Sequence, residues 1–401
     1  MLYTQEGSQA LRKYSSETIF YHYDGWDDDP IDEHSGHPLL CREAAVLTNI
    51  YFYGDEAIKK LSDLGIFSSN VESTSVNEKI EVLTLIDLTK KVLVKGGDCR
   101  SRISLFYPFT NLRNEDVGLN YAPENSIFSK WSDRQSIRTQ LEILHVKQPP
   151  GDCIDDWNDV ERYIGDLIGL WLLKCADSAP KIVKSSSENN FDFGFDFSTS
   201  SWTIEDVITS PKNAPSPNLT WLIPKDENSD PIFLFAADQI IDSSRFLHVG
   251  NRFPSSISSS FIDECRELAT PILSELRGID SVVGIDFIFD ENWQPIIVDI
   301  NPRFNSCTFP GLAFDQLVER ENRVGHYRKI ANNHFSTLSD IYNSANSDSL
   351  WFTPESKKGV ILFAPQGTTN MSAFRALIIG DSDTECEEMH EQLLTLITRN
   401  I

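Results

Sequence analysis

The segment that most constrains this chain is residues 282–303, Val-Val-Gly-Ile-Asp-Phe-Ile-Phe-Asp-Glu-Asn-Trp-Gln-Pro-Ile-Ile-Val-Asp-Ile-Asn-Pro-Arg. Two apolar runs flank a polar, turn-forming centre, which predicts a β-hairpin. Charge is costly in strands this apolar, yet Asp286 interrupts the first, and Asp299 and Asn301 interrupt the second. A two-residue turn at Glu291-Asn292 pairs Asp290 with Trp293 and Asp286 with Ile297. Side chains alternate between faces, so Asp299 and Asn301 then share the face of Asp286, with Asp299 as its diagonal neighbour. A slip of one residue would undo this arrangement.

Spacing alone leaves two readings open. In one, two carboxylates and an amide oxygen form an all-oxygen site suited to Mg²⁺, a hard cation completed by water and nucleotide phosphates. Facing carboxylates without a cation would repel, and one would take up a proton. In the other, Asp286 and Asp299 sit at a wet sheet edge and Asn301 caps the following turn.

The rest of the chain bounds these readings. At 401 residues it suits two or three packed modules, since domains run to about 100–200 residues. A hydrophobic content of 40% with 24% charged residues is that of a globular protein. The net charge of −25 repels phosphate backbones and anionic membranes, so neither a nucleic acid nor a membrane is an expected partner. Seven scattered cysteines without CxxC spacing argue against a disulfide framework or structural zinc. The apolar run Ile164–Leu173 is broken by Asp166 and is too short to span a membrane. No export signal is visible at the N-terminus, and a cytoplasmic location is the expectation.

Residues 1–125 read as an α/β module, with an acidic, turn-rich stretch at Asp24–Pro30. Helices are expected at Ser132–Leu144, capped by Ser132 or Asp133, and at Trp157–Ile168, followed by a strand Leu170–Lys174. Residues 184–217 read as a surface segment or an embellished small sheet. Strands follow at 219–223, 231–241 and 246–250, then a helix at 259–276. A helix-rich stretch spans about 311–345, and the tail suggests two strands and a helix.

The pair Gly284-Ile-Asp-Phe-Ile-Phe289 and Val298-Asp-Ile-Asn-Pro-Arg303 resembles the C-terminal signature of the ATP-grasp superfamily, to which D-alanine:D-alanine ligase, biotin carboxylase and many peptide ligases belong. The resemblance implies an α/β (α+β) ATP-grasp fold. An N-terminal α/β pre-ATP-grasp domain would occupy 1–125, the nucleotide-binding and catalytic region 126–310, and a helical and small α/β C-terminal region 311–401. It implies that Asp286, Asp299 and Asn301 hold Mg²⁺ on ATP. The second position, usually Glu, is here Asp299, one methylene shorter.

Looser likenesses extend over residues 125–310. Ser132-Asp-Arg-Gln135 resembles the first nucleotide-binding segment, with Arg134 at a position often held by Lys and Lys130 as a rival. Lys174, at a strand end, would reach the phosphates; a solvated flank is its bland alternative. The phosphate-covering loop falls at 178–194, which has one glycine, Gly194, and Ser185-Ser-Ser187 instead. The adenine edge would follow Leu219–Ile223, where Pro224 replaces the usual acidic residue and Asp226 or Glu227 would contact ribose. Arg252 and Arg303 would stabilise the acyl-phosphate and the transferring phosphoryl group, a surface salt bridge being the alternative for each.

The resemblance implies a ligase that forms an acyl-phosphate and joins it to an amine, an amino acid or peptide, with homodimers common in the family. Two alternatives are an ATP-dependent carboxylase-type enzyme and a degenerate ATP-grasp nucleotide-binding module without catalysis.

Overall fold

The computed structural model describes residues 133–165, 169–175, 178–184, 201–242, 247–279, 281–303, 307–318, 322–331, 355–363 and 373–398, with a few short stretches between them. In the first 130 residues it describes chiefly the backbone of five short strands. Of these, β1 (Thr18–Tyr21), β4 (Arg102–Leu105) and β5 (Tyr121–Ala122) form a parallel sheet. The other two, β2 (Phe52–Tyr53) and β3 (Ser73–Thr74), pair in parallel. Parallel pairing fits the α/β reading of this module, because it needs crossover connections. Asp24–Pro30 lies outside the described residues.

The next module is a helix, α1 (Arg134–Ile143), against a small antiparallel sheet. Asp133 caps α1, accepting from Ser136 N at 2.8 Å, which leaves fewer donors of the first turn unsatisfied. Strand β6 (Gly151–Ile154) leads to α2 (Trp157–Ile164), whose start is a capping box between Asp156 and Asp159. Then come β7 (Leu170–Cys175), β8 (Ser178–Lys184) and β9 (Trp202–Asp206), in the sheet order β6-β9-β7-β8. Of the two readings of 184–217, the small sheet holds where the segment is described: it contributes β9, a central strand with Trp202 and Ile204 buried. The expected phosphate loop begins as strand β8, and 185–200 lie outside the described residues.

An eight-stranded antiparallel sheet forms the largest layer. It contains β10 (Ser216–Ile223), β11 (Ile232–Asp242), β12 (Leu247–Phe253), β13 (Ser281–Phe289), β14 (Pro295–Asn301), β15 (Val324–Ala331), β16 (Gly359–Phe363) and β17 (Ala373–Gly380). Its order is β14-β13-β10-β11-β12-β15-β17-β16. Helices α3 (Ser259–Glu275), α4 (Thr308–Val318) and α5 (Asp383–Thr398) accompany it. Val324–Ala331 falls inside the stretch expected to be helix-rich but is a strand, because Tyr327 and Ile330 bury against the sheet it extends. No helix among the described residues is long and apolar enough to cross a membrane.

Strand periodicity sorts the residues of this layer. On β13 the odd positions Val283, Ile285, Phe287 and Phe289 enter the core with Ala269, Ile272 and Leu273 of α3. On β10, Leu219, Trp221 and Ile223 do the same. The even positions, including Asn218 and Asp286, therefore emerge together on the opposite face.

The hairpin register differs from the sequence expectation in two places that offset one another. The turn holds three residues, Glu291-Asn292-Trp293, with Trp293 at a φ of 61° and Asp290 N donating to Gln294 O at 3.0 Å. The Asp290 carboxylate fixes it by accepting from Asn292 N and Gln294 N. Phe287 thus pairs with Ile297. A regular ladder would then set Asp286 against Val298 and send Asp299 to the other face. A bulge between Asp286 and Phe287 inserts Val298 as an extra residue, and Asp286 pairs directly with Asp299.

Phe287 has no exposed surface and anchors the face opposite Asp286. Phe287→Ala is expected to cost about 3–5 kcal/mol in urea-unfolding free energy. A loss below about 1 kcal/mol would contradict its place in the main core.

Candidate active site

A cavity of about 570 Å³ opens between the small antiparallel sheet and the eight-stranded sheet. Arg134, Lys174, Asp286, Asp299, Asn301 and Arg303 all line it, although they come from four separate elements and the turn after β14. Lys174 and Arg134 approach from the smaller module, and the other four from β13, β14 and that turn.

At the centre stands the Asp286–Asp299 pair. Asp286 is buried and accepts a hydrogen bond from Asn218 Nδ2. Asn218 is itself held by Thr220 Oγ1 at 2.8 Å. Arg134 forms an ion pair with Asp299, its Nη1 against Oδ1 and its Nη2 3.5 Å from Oδ2. Asp299 also accepts from its neighbour Ile300 N at 2.9 Å. Asn301 turns its amide nitrogen, not its oxygen, toward Asp299 at 3.3 Å. The amide oxygen expected as a metal ligand would face the pair only after a half-turn of that group.

Proton affinity divides unevenly between the two carboxyls. Burial, reinforced by the charge of Asp299, pushes Asp286 up to about 7 against the hydrogen bonds from Asn218 and Gln239. Burial also raises Asp299, but the charge and hydrogen bond of Arg134, with Lys174 and Arg303 behind, outweigh it and hold Asp299 below the usual carboxylate range. The Arg134 guanidinium is held above its ordinary value, chiefly by Asp299. The negative charge therefore rests on Asp299 and the proton on Asp286.

This donor set fits a hard dication. Two carboxylates face each other across one ladder position, one keeps a proton that a cation would displace, and an amide lies beside them. Among the described residues no group of three His, Cys, Asp or Glu side chains is poised for a metal; phosphate and water are the usual remaining ligands of Mg²⁺.

Lys174 is buried and pairs with Glu205 Oε2 at 2.6 Å. It also donates to Val298 O at 3.3 Å. A bulge takes its extra residue out of the ladder, and here the carbonyl of that residue, Val298, receives a lysine from the other sheet.

Three residues expected at the site lie elsewhere. Arg252 alternates with the cavity-lining Asn251, so it points to the opposite face of β12, where it grips Asp383 of α5 through two hydrogen bonds of 2.7 and 2.9 Å. Asp226 and Glu227 occupy the exposed turn after β10. Asp226 is occupied with its own turn, accepting from Asn228 N and Ser229 Oγ, and the Glu227 carbonyl accepts from Arg277. Asn218 is at the cavity end of β10, and Ile223 is already about 17 Å along at ~3.3 Å per residue. The segment that does line the cavity is the end of β9, Asp206, with Val207, Ile208 and Ser210 after it. The adenine edge expected beyond Ile223 is thus on the wrong strand.

Sequence reasoning also missed Glu205, Asn218, Gln239, His248, Lys329 and Arg375, all on the cavity wall. Two left a local signal. Glu205 directly follows the short run Trp202-Thr-Ile204, and Asn218 is a lone amide before Leu-Thr-Trp-Leu-Ile.

Residues 225–307 match the family described as the ATP-grasp domain. An ADP complex of N5-carboxyaminoimidazole ribonucleotide synthetase superposes with a TM-score of 0.60 at 10% identity, over 94% of this chain and 96% of that one. The Aspergillus clavatus N5-carboxyaminoimidazole synthase, in complex with ADP and 5-aminoimidazole ribonucleotide, gives 0.58 at 10% identity over 96% and 99%. The L-amino acid ligase of Bacillus licheniformis gives 0.57 at 13% identity over 94% and 97%. None of the curated proteins compared with the chain matches it in sequence.

The ordinary value for an aspartate is 3.8, and folded Asp286 keeps its proton to about 7. Between these values the folded state binds the extra proton, so rising pH favours unfolding through this group. Asp286→Asn retains an acceptor for Asn218 and removes the charge. It is expected to flatten that decline and to stabilise the metal-free protein at pH 8 by about 1 kcal/mol or more, read from urea melts across pH. Unchanged pH dependence would contradict the assignment.

Proposed function

We propose that this chain, which has the ATP-grasp fold and an ATP-grasp domain at residues 225–307, is a ligase that uses ATP and Mg²⁺ to join a carboxylate to an amine. The observation that carries the proposal is the meeting, on one cavity wall, of two cations from the smaller module with the Asp286–Asp299 pair and Arg303. Cations and a carboxylate cage facing each other suit a polyphosphate bridged by a dication.

In this reading the γ-phosphoryl passes to an oxygen of the substrate carboxylate, giving ADP and an acyl-phosphate. The amine then attacks the acyl carbon, phosphate departs with the bonding pair, and the nitrogen loses a proton to solvent. Asp286 and Asp299 would hold Mg²⁺, and that ion would supply charge neutralisation at the phosphate oxygens. Lys174 and Arg134 leave Glu205 and Asp299 for the phosphates, exchanging one anionic partner for another. Arg303 presents a planar, permanently charged guanidinium to the transferring group or the acyl-phosphate. Asn218 holds the Asp286 carboxyl in place, and burial keeps water from competing for it. No side-chain nucleophile takes part.

The amine class follows from the likeness to an L-amino acid ligase, so an amino acid or short peptide is the first choice. The likeness to N5-carboxyaminoimidazole synthases favours a second reading, in which the amine acquires a carboxyl group. Mass spectrometry of the product formed with labelled bicarbonate separates the two.

ADP release is expected when amino acids or short peptides are supplied with ATP and Mg²⁺, and Lys174→Ala should lower its kcat by about 10²–10³-fold. Asp299→Asn should abolish the Mg²⁺ dependence of nucleotide binding. Tight ATP binding with no ADP from any carboxylate and amine would instead favour a nucleotide-binding module.

A further inference from the structure

The cavity has a second cationic end, away from the carboxylate pair. Lys329 of β15 and Arg375 of β17 are directly opposed in the antiparallel ladder, and both line the cavity. Directly opposed residues emerge on the same face, so one anion in the cavity meets both cations.

His248 of β12 organises this end. Lys329 Nζ lies 3.2 Å from His248 Nδ1 and 3.4 Å from the His248 carbonyl. His248 Nε2 lies 3.1 Å from Asn251 Oδ1. An ammonium can only donate, so Nδ1 is the acceptor and Nε2–H the donor to Asn251. The imidazole is therefore neutral and aims Lys329 rather than adding a third charge. Burial and then the charge of Lys329 push its pKa down to about 4, in keeping with that tautomer.

The two ends are separated by the sheet itself. From β13 to β15 there are four strand steps, about 19 Å along the sheet at ~4.8 Å per step. Neutral groups, Gln239, Asn251 and Tyr327, line the wall between. In a chain of net charge −25, cations gathered at one end of a cavity select sharply for negative charge. Arg375 offers a planar fork and Lys329 a compact point charge, a combination matched to the oxygens of a carboxylate or a phosphate.

We propose that Lys329 and Arg375 form a subsite for an oxyanion group, a carboxylate or a phosphate, carried by one substrate of the ligase at the end remote from the reacting atoms. The assignment of that group to a substrate rests on the ligase reading; the binding of an anion there does not. Such a substrate is elongated, with its reacting group near Asp299 and its charged tail at β15 and β17.

The test is calorimetric titration of the full chain with inorganic phosphate and, separately, with acetate. Mg²⁺ and a non-hydrolysable ATP analogue first saturate the nucleotide end. Saturable binding of either probe is expected, weakened by about tenfold or more in Arg375→Gln and in Lys329→Gln, as befits the loss of a charge-assisted contact. Lys329→Arg should largely restore it. Preference for phosphate would indicate a phosphate ester and preference for acetate a carboxylate. The variants must still bind the analogue, which shows that they are folded. Absence of saturable probe binding, or binding unchanged in both Gln variants, overturns the subsite. Failure of the parent chain to bind the analogue would instead count against the ligase reading.

Discussion

Two carboxylates opposed at one rung of a β-ladder are the constraint around which this structure is arranged. Asp286 and Asp299 pair directly, one buried and one partly buried, and like charges so placed are unfavourable. The fold answers with Arg134 on one, with Asn218 and a proton on the other, and with Lys174 close behind. Each answer comes from a different element. Removing the charge conflict would make the sheet more stable and leave the cavity without a reason for its cations.

The bulge at Val298 is what sets the conflict. It corrects the face of Asp299 after a three-residue turn has shifted the ladder, and it frees a carbonyl that receives Lys174 from the smaller sheet. One irregular residue therefore aligns the acidic pair and ties the two layers at the site. Bulges next to functional sites commonly re-aim side chains in this way.

Much of this was legible in the chain itself, and the boundary between legible and illegible is physical. The hairpin, the helix capped by Asp133, and the common face of Asp286 and Asp299 follow from local periodicity and turn chemistry. The register did not: the expected two-residue turn was wrong, and the conclusion survived because the bulge restored the parity. Asp226 and Glu227 were misplaced because a resemblance aligned them with a strand end remote from the cavity, and Arg252 because its side chain leaves the face of β12 opposite the cavity. Asn218, Gln239, Lys329 and Arg375 were missed because their roles arise from strand order, which brings β10, β11, β15 and β17 around one cavity. Single polar residues in separate strands carry no local mark of such convergence.

The central claim is that Asp286 and Asp299 grip a dication on a nucleotide tail. Anomalous diffraction at the manganese edge, from crystals grown with Mn²⁺ and a non-hydrolysable ATP analogue, tests it most directly. The account predicts a peak between the two carboxylates, within coordination distance of both and of phosphate oxygens. Bound nucleotide with no peak there, or with the ion held by other residues, would contradict it.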